Sequence, residues 1–266
     1  MLDIVAPAAE RRRPIIELQG VSKTYRTRDG DIPSLRPIDF TVGEGEFVVI
    51  VGPSGCGKTT LLKMLAGLLT PSGGEVRIEG KSITKPHSNI GIVFQTALLL
   101  PWRSVFSNVM MPVEVKGLPR AAYEQRARDL LRLTGLQGFE NKYPWQLSGG
   151  MQQRVAICRA LVHDPKLMLM DEPFGALDAL TREKMNVELQ RIQGETGKTV
   201  LLITHSIPEA VFLADRVMVM NARPGNIAAV YDIPLPRPRT LDIMANPLFV
   251  EMTQKIRKHF SDAHIS

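Results

Sequence analysis

Short, uninterrupted apolar runs punctuate the chain at Phe47–Val51, Ile90–Phe94, Leu167–Met170 and Val200–Ile203. Runs of this length without polar alternation predict strands covered on both faces, as in a sheet flanked by helices. Other stretches alternate. EVRIEG (75–80) predicts a half-exposed strand after the PSGG turn (71–74), and IIELQGVSKTY (15–25) a strand ending in a turn. IDFTV (38–42) is expected to pair with Phe47–Val51 across the turn at Gly43 to Glu46. From residue 96 to about 154 the pattern changes: LLLPWRSVFSNVMMPVEV (98–115) and RAAYEQRARDLLRLTGL (120–136) have helical spacing, broken by Pro and Gly, with no clear strand. Leu98 to Leu100, Trp102, Val105, Met110 and Met111 would be the private core of this helical insertion or, alternatively, a face that receives a partner helix.

VAICRALVH (155–163) predicts a further helix, and a helix from Pro208 to about Leu213 leads into the strand DRVMVM (215–220). ARPG (222–225) is a turn into NIAAVYDI (226–233), LPRPR (235–239) a linker, and NPLFVEMTQKIRKHF (246–260) a surface helix. The fold class is α/β: a mixed sheet, an antiparallel β patch and an inserted α-helical subdomain. The domain limits are a tail over 1–14 containing the charge run Arg11 to Arg13, a main domain over 15–240, and a C-terminal linker and helix over 241–266.

Composition narrows the class. The chain has 266 residues, 44% of them hydrophobic, enough for a substantial core, yet no apolar run approaches the roughly 18 residues that span a bilayer. MLDIVAPAAERRRP lacks the apolar centre of a secretory signal, so the cytoplasm is the expected compartment. The net charge of +6 is spread along the sequence, which argues for a solvated surface and against a nucleic-acid partner. Cys56 and Cys158 do not make a metal-ligand spacing and are expected to be free thiols.

The chemistry gathers where strands end. Gly52 to Thr59, GPSGCGKT, follows the first apolar run and precedes Thr60 and the apolar face Leu61, Leu62 and Leu65. Strand, glycine-rich turn and helix start are the context in which successive backbone N–H groups and a helix dipole meet a phosphate; Gly52, Pro53, Ser54, Gly55, Cys56 and Gly57 form that turn, Lys58 reaches the β- and γ-phosphates, and Thr59 offers a hydroxyl to Mg²⁺. Cys56, beside a helix start and Lys58, is expected to be a reactive thiolate, more so than Cys158. Gln95 ends the second apolar run, on the side of a sheet where ligands bind in open α/β folds. Asp171 and Glu172 end the third, with Asp171 suited to Mg²⁺ and Glu172 to orienting or deprotonating water. His205 ends the fourth. Ser148, Gly149 and Gly150 begin a helix, either as an N-cap with glycines in a turn or as a second anion site that completes a nucleotide held by another copy of the chain. Tyr25 is either a packing residue or a ring on which a nucleotide base stacks.

Together these pieces resemble the ATP-binding subunit of an ABC transporter, from Ile15 to about Ile233. The Walker A motif is GPSGCGKT, the Q-loop glutamine Gln95, the signature LSGGMQQR (147–154), Walker B LMLMDE (167–172), the D-loop GALD (175–178) and the switch histidine His205. The resemblance implies a P-loop NTPase core, ATP and Mg²⁺ as cofactors, Tyr25 as the adenine-stacking aromatic, Asp178 at the nucleotide, and Thr59, Gln95 and Asp171 at the metal. It further implies that two copies bind two ATP head to tail, each P-loop closed by Ser148 and Gly150 of the other, on a membrane permease at the cytoplasmic face, with an extracytoplasmic solute-binding protein acting indirectly. LLLPW, YPWQLSGGMQQR, DEPFGALDA and the RPG turn are similar to importer subunits of the nitrate, sulfonate, taurine and bicarbonate group, and also to pyrimidine-type thiamine-precursor importers. Two positions depart from the pattern: Ser206 stands where Asp usually follows the switch histidine, and Gly175 where the D-loop often has Ser. A cytosolic ATPase of the same superfamily acting on nucleic acid or ribosomes is the competing class, and it fits less well because the chain has neither long heptad insertions nor a second cassette.

Overall fold

A computed structural model describes residues 12–28, 30–87, 89–175, 177–221 and 224–261. Arg11 and the tail before it, Ala176 in the D-loop, and Ala222 and Arg223 of the RPG turn lie outside the described residues.

The chain opens with two long strands, β1 (Pro14–Thr27) and β2 (Gly30–Gly43), followed by β3 (Phe47–Val51), the helix α1 (Lys58–Leu65), β4 (Gly73–Ile78), the two-residue β5 (Lys81–Ser82) and β6 (Ile90–Val93). Three helices follow, α2 (Val105–Val115), α3 (Arg120–Leu133) and α4 (Gly149–Leu161), and then β7 (Leu167–Asp171), α5 (Ala179–Thr196), β8 (Thr199–Thr204), α6 (Ile207–Leu213), β9 (Arg216–Met220), β10 (Ile227–Asp232) and α7 (Pro247–Ser261).

One sheet has the order β10-β9-β3-β8-β7-β6, parallel except for β10; the other, β2-β1-β4-β5, is antiparallel. The expected mixed sheet, antiparallel patch and helical insertion are all present. All five residues of β3 are buried, and they divide by parity. Phe47, Val49 and Val51 join the core made with the helical insertion, α5 and α6, whereas Val48 and Ile50 join the core made with α1 and the antiparallel sheet. That two-sided burial is why β3 shows no polar alternation.

Several expectations are corrected. β2 pairs with β1, with Leu18 opposite Phe40 and Val21 opposite Ile38, and not with β3, whose neighbours are β8 and β9. β1 runs on through Tyr25 with register shifts rather than stopping in a turn. The helical insertion has no private core: Val105, Val109, Met110 and Leu131 are continuous with Ile157, Met168 and Met170 of the sheet side. Met111 is only partly covered, and Leu98 and Trp102 are exposed, by 59% and 71%. LPRPR is packed rather than a linker. Arg239, 2% exposed, donates through Nη1 to the carbonyls of Val211, Phe212 and Ala214 and through Nη2 to Leu235, closing the C-terminal end of α6. Phe249, Met252 and Ile256 of α7 are buried in the larger core, which gives that helix one apolar face.

Candidate nucleotide site

The loop after β3 is shaped by glycines that no other residue could replace without movement. Gly55 and Gly57 have φ of +77° and +92°, and a Cβ on Gly57 would lie 2.5 Å from Leu35. At Gly52 a Cβ would stand 2.7 Å from Cys56 Sγ and 2.9 Å from the Met220 carbonyl oxygen. The loop wraps around Lys58, whose Nζ donates to Gly52 O at 2.7 Å and Pro53 O at 3.0 Å. Ser54 and Gly55 are exposed at its outer edge, and α1 starts at Lys58, two residues earlier than expected. Its Ncap is Gly57, without a side-chain cap and with no acidic residue in the first turn, so the first N–H groups keep their affinity for an anion.

Cys56 departs from the expectation. Its side chain is fully buried inside the loop, 3.9 Å from Lys58 Nζ, and burial pushes the thiol up more strongly than the lysine charge pulls it down. The residue shapes the loop as a small apolar group and is not an exposed thiolate.

Tyr25 is 39% exposed beside the first turn of α1, with its hydroxyl 3.4 Å from Thr60 Oγ1 and Lys23 Nζ 5.4 Å from the ring centroid. Thr59 Oγ1 lies 3.4 Å from Asp171 Oδ1, so the loop hydroxyl and the carboxylate ending β7 share one corner. Burial, with a smaller contribution from the charge of Glu172, holds the Asp171 carboxyl above the ordinary carboxylate range. A half-buried carboxylate with a hydroxyl as its neighbour is short of positive charge, and these hard oxygen donors fit Mg²⁺ sharing its shell with phosphate and water.

Glu172 follows in a left-handed conformation, φ +44°, its N–H bonded to Ile203 O at 2.9 Å. Such a φ is strained for a non-glycine residue. The turn brings its Oε2 to 3.3 Å from His205 Nδ1 at the end of β8 and 3.5 Å from Gln95 Nε2 beyond β6. Three strand ends that are distant in sequence thus converge on one oxygen. A Cβ on Gly175 would stand 3.4 Å from Gln95 Nε2 and 3.5 Å from Glu172 Oε2, so the glycine leaves this flank of the cluster open. Ser206 caps α6, its Oγ accepting from Glu209 N at 3.4 Å, the task an aspartate would perform there.

The segment around Gln95 is held by residues that motif reasoning passed over. Gln153 Nε2 donates to Phe94 O at 3.0 Å, and Arg159 donates to Ala97 O and Leu98 O at 2.7 and 2.8 Å. Buried Asn108 accepts from Leu100 N at 2.8 Å and donates to Leu100 O, Arg103 O and Ser104 O. Their only sequence signal is a polar residue on the apolar face of a helix.

Ser148, Gly149 and Gly150 sit elsewhere. Ser148 Oγ accepts from Met151 N at 3.3 Å at the start of α4, Ser148 and Gly149 are exposed, and Gly150 packs beside Thr181 and Leu177. Asp178 caps α5 by accepting from Thr181 N at 3.0 Å, and that hydrogen bonding holds its carboxyl below the usual range. The start of α4 and the Leu177–Thr181 segment therefore pack together, whereas Gly175, at the other end of the D-loop, flanks Gln95 and Glu172.

A profile described as ABC transporter matches residues 35–175. The chain is 44% identical over 253 residues to the uncharacterized ABC transporter ATP-binding protein MJ0412 of Methanocaldococcus jannaschii, covering 95% of this chain and 94% of that one. It is 46% identical to the taurine import ATP-binding protein TauB of Rhizobium johnstonii, covering 91% and 95%, and 42% identical to the bicarbonate transport ATP-binding protein CmpD of a Synechocystis species, covering 92% and 89%. Among solved structures, the dimeric bacterial ABC transporter cassette MJ0796 superposes with a TM-score of 0.73 at 35% identity, over 84% of this chain and 100% of that one. The same cassette in a post-hydrolysis state bound to ADP and Pi gives 0.73 at 34%, with the same coverage.

Proposed function

This chain belongs to the ABC transporter family as one of its ATPases, and from that premise we propose that it powers the import of a small solute through a membrane permease. The observation that carries the hydrolytic assignment is the convergence of Gln95 and His205 on Glu172 Oε2, next in sequence to Asp171, which forms a corner with Thr59. In this reading the loop N–H groups and Lys58 bind the phosphates of ATP, and Tyr25 receives the adenine ring. Thr59, Asp171 and Gln95 would hold Mg²⁺, which supplies positive charge against the phosphate oxygens when bound. Glu172 accepts a proton from the water that attacks the γ-phosphorus as the bond to the bridging oxygen breaks, yielding ADP and inorganic phosphate. His205 steadies that carboxylate and faces the γ-phosphate.

Exposed Ser148 and Gly149 at the start of α4, beside the Asp178 turn, support a head-to-tail pair of chains, each offering these groups to the other's nucleotide. The MJ0796 cassette, to which this chain is similar, is dimeric. For the permease, exposed Leu98 and Trp102 offer an apolar contact on the segment that Asn108 and Arg159 hold just after Gln95. Among the described residues no helix is long and apolar enough to cross a membrane, and the proposal seats the chain peripherally on the cytoplasmic face, with a solute-binding protein delivering cargo from outside. The taurine and bicarbonate relatives favour a small organic or inorganic anion, such as a sulfonate or nitrate, as solute.

The test is reconstitution of the chain in proteoliposomes with a candidate permease and solute-binding protein from the same genome. ATP-dependent uptake of labelled taurine, nitrate or bicarbonate, lost on Glu172→Gln, is the expected result. ATPase activity stimulated by DNA or ribosomes, without association with a permease, would overturn it.

A further inference from the structure

Glu209 stands on α6 four residues after His205 and is only 5% exposed, and among the described residues its Oε1 has no hydrogen-bond donor. Asn186 on α5 is 3% exposed, and among the described residues its Oδ1 likewise has no donor. Hydrogen bonding from Thr204 and Asn186 and the charges of Arg182 on α5 and His205 at the end of β8 favour the ionised Glu209 carboxyl, and burial, the larger effect, favours the neutral acid. Both orphaned atoms are acceptors, so the interior is short of one proton, and ionising the carboxyl would bury a charge as well.

We propose that Glu209 is a positioning residue that carries this proton: as a neutral acid it donates from Oε1 to Asn186 Oδ1, tying α6 to α5 and so holding His205 against Glu172. This rests on the reading of His205 as part of the hydrolytic cluster. The surrounding bonds show how the tie reaches His205. Thr204 Oγ1 accepts from Ser206 N at 3.0 Å, and Ser206 Oγ accepts from Glu209 N at 3.4 Å, so the turn containing His205 is laced directly to the backbone of Glu209. At the other end of α6, Arg239 closes the carbonyls, and Gln190 of α5 bonds the Arg239 backbone in both directions, at 2.8 and 2.6 Å. Asn186 and Gln190 are one turn apart on α5, so one face of that helix carries both the proposed partner of Glu209 and the side chain that bonds Arg239. Burial pushes the Glu209 carboxyl up, the direction the neutral acid requires.

Glutamine keeps a donor and an acceptor at this position but does not titrate, whereas leucine fills the space without a hydrogen bond. With the full chain assembled on its permease, Glu209→Leu is expected to lower kcat about tenfold while leaving the KM for ATP within about twofold, and Glu209→Gln to restore kcat to within about twofold of the parent. Glu209→Gln also moves the alkaline decline of kcat, because no proton remains to be lost there. Independently of turnover, difference infrared spectra of the parent against Glu209→Gln at neutral pH are expected to show a neutral-carboxyl C=O band that the substitution removes. Absence of that band, or a Gln variant as slow as the Leu variant, overturns the proposal. Parent-level turnover in His205→Ala would instead defeat the reading of His205, and the infrared result is independent of it.

Discussion

The Nδ1 of His205 lies 3.3 Å from Oε2 of Glu172, across the ends of two neighbouring parallel strands. This places Glu172 where a carboxylate can take a proton from water while its orientation is fixed from the side. Glu172→Gln retains the shape and loses the proposed base, and Glu172 makes none of the contacts of the Gly52–Lys58 loop. The variant is expected to bind ATP as the parent does and to lose about 10²-fold or more in turnover. Mg-ATP then traps a dimer, measurable by light scattering after size exclusion. Hydrolysis at the parent rate would remove Glu172 from the role.

A composite site makes a different demand. Ser148→Arg blocks the start of α4, and Lys58→Ala removes the ammonium proposed to bind phosphate. If each site uses one chain's Lys58 and the other's Ser148, mixing these two inactive chains produces dimers with one intact site. ATPase activity is expected to rise from near zero and peak near equal proportions. Activity that stays at the level of either chain alone, at every ratio, favours a site contained in one chain.

The parts of this site legible in the sequence are those written as an apolar run followed by a polar residue. Gln95, Asp171, Glu172 and His205 each end such a run, and their side chains meet because parallel strands carry their C-terminal ends to one edge. Strand neighbours were less legible. IDFTV and Phe47–Val51 are joined by a short turn, which suggests a hairpin, yet β2 turns away because β3 must be flanked on both edges by β8 and β9. Residues whose partners are main-chain carbonyls far along the chain left no motif at all. Gln153 on Phe94, Arg159 on Ala97 and Arg239 on Val211 each span an interval that no spacing rule encodes. The burial of Cys56 depended on the approach of Met220 to Gly52, a contact made by a strand 168 positions away from the glycine.

Both thiols are closed to reagents in the folded chain. Cys56 and Cys158 are fully buried, and burial pushes Cys158 up to about 12 and Cys56 in the same direction. At neutral pH a maleimide is expected to label neither until the chain unfolds, so that both are modified at a rate set by opening. Mg-ATP, binding only the folded form, slows both together. Peptide mapping under limited labelling checks this. Stoichiometric modification of Cys56 alone in a chain whose circular dichroism is unchanged would show that the loop opens by itself.

Asp171 sets function against stability. Its carboxyl is held above the ordinary range chiefly by burial and secondarily by Glu172, so on raising the pH the unfolded chain releases this proton before the folded one does. Through that window the folded state holds more protons than the unfolded state, and stability falls as pH rises. The deficit is then carried undiminished to neutral pH. Asp171→Asn removes the titration and keeps an oxygen toward which Thr59 can donate. In the absence of nucleotide the variant is expected to melt about 2 °C higher than the parent at neutral pH, a small figure because the carboxyl is still partly in water. The gain disappears below the ordinary carboxylate range, where Asp171 is protonated in both states. The same variant is expected to lose Mg²⁺-dependent ATP hydrolysis, because the amide brings no charge to the cation. Calorimetric melting across the acid range with chelator present, alongside ATPase assays, tests both halves. A variant that melts below the parent at neutral pH would show that Asp171 stabilises the empty fold and contradict the sign worked out here.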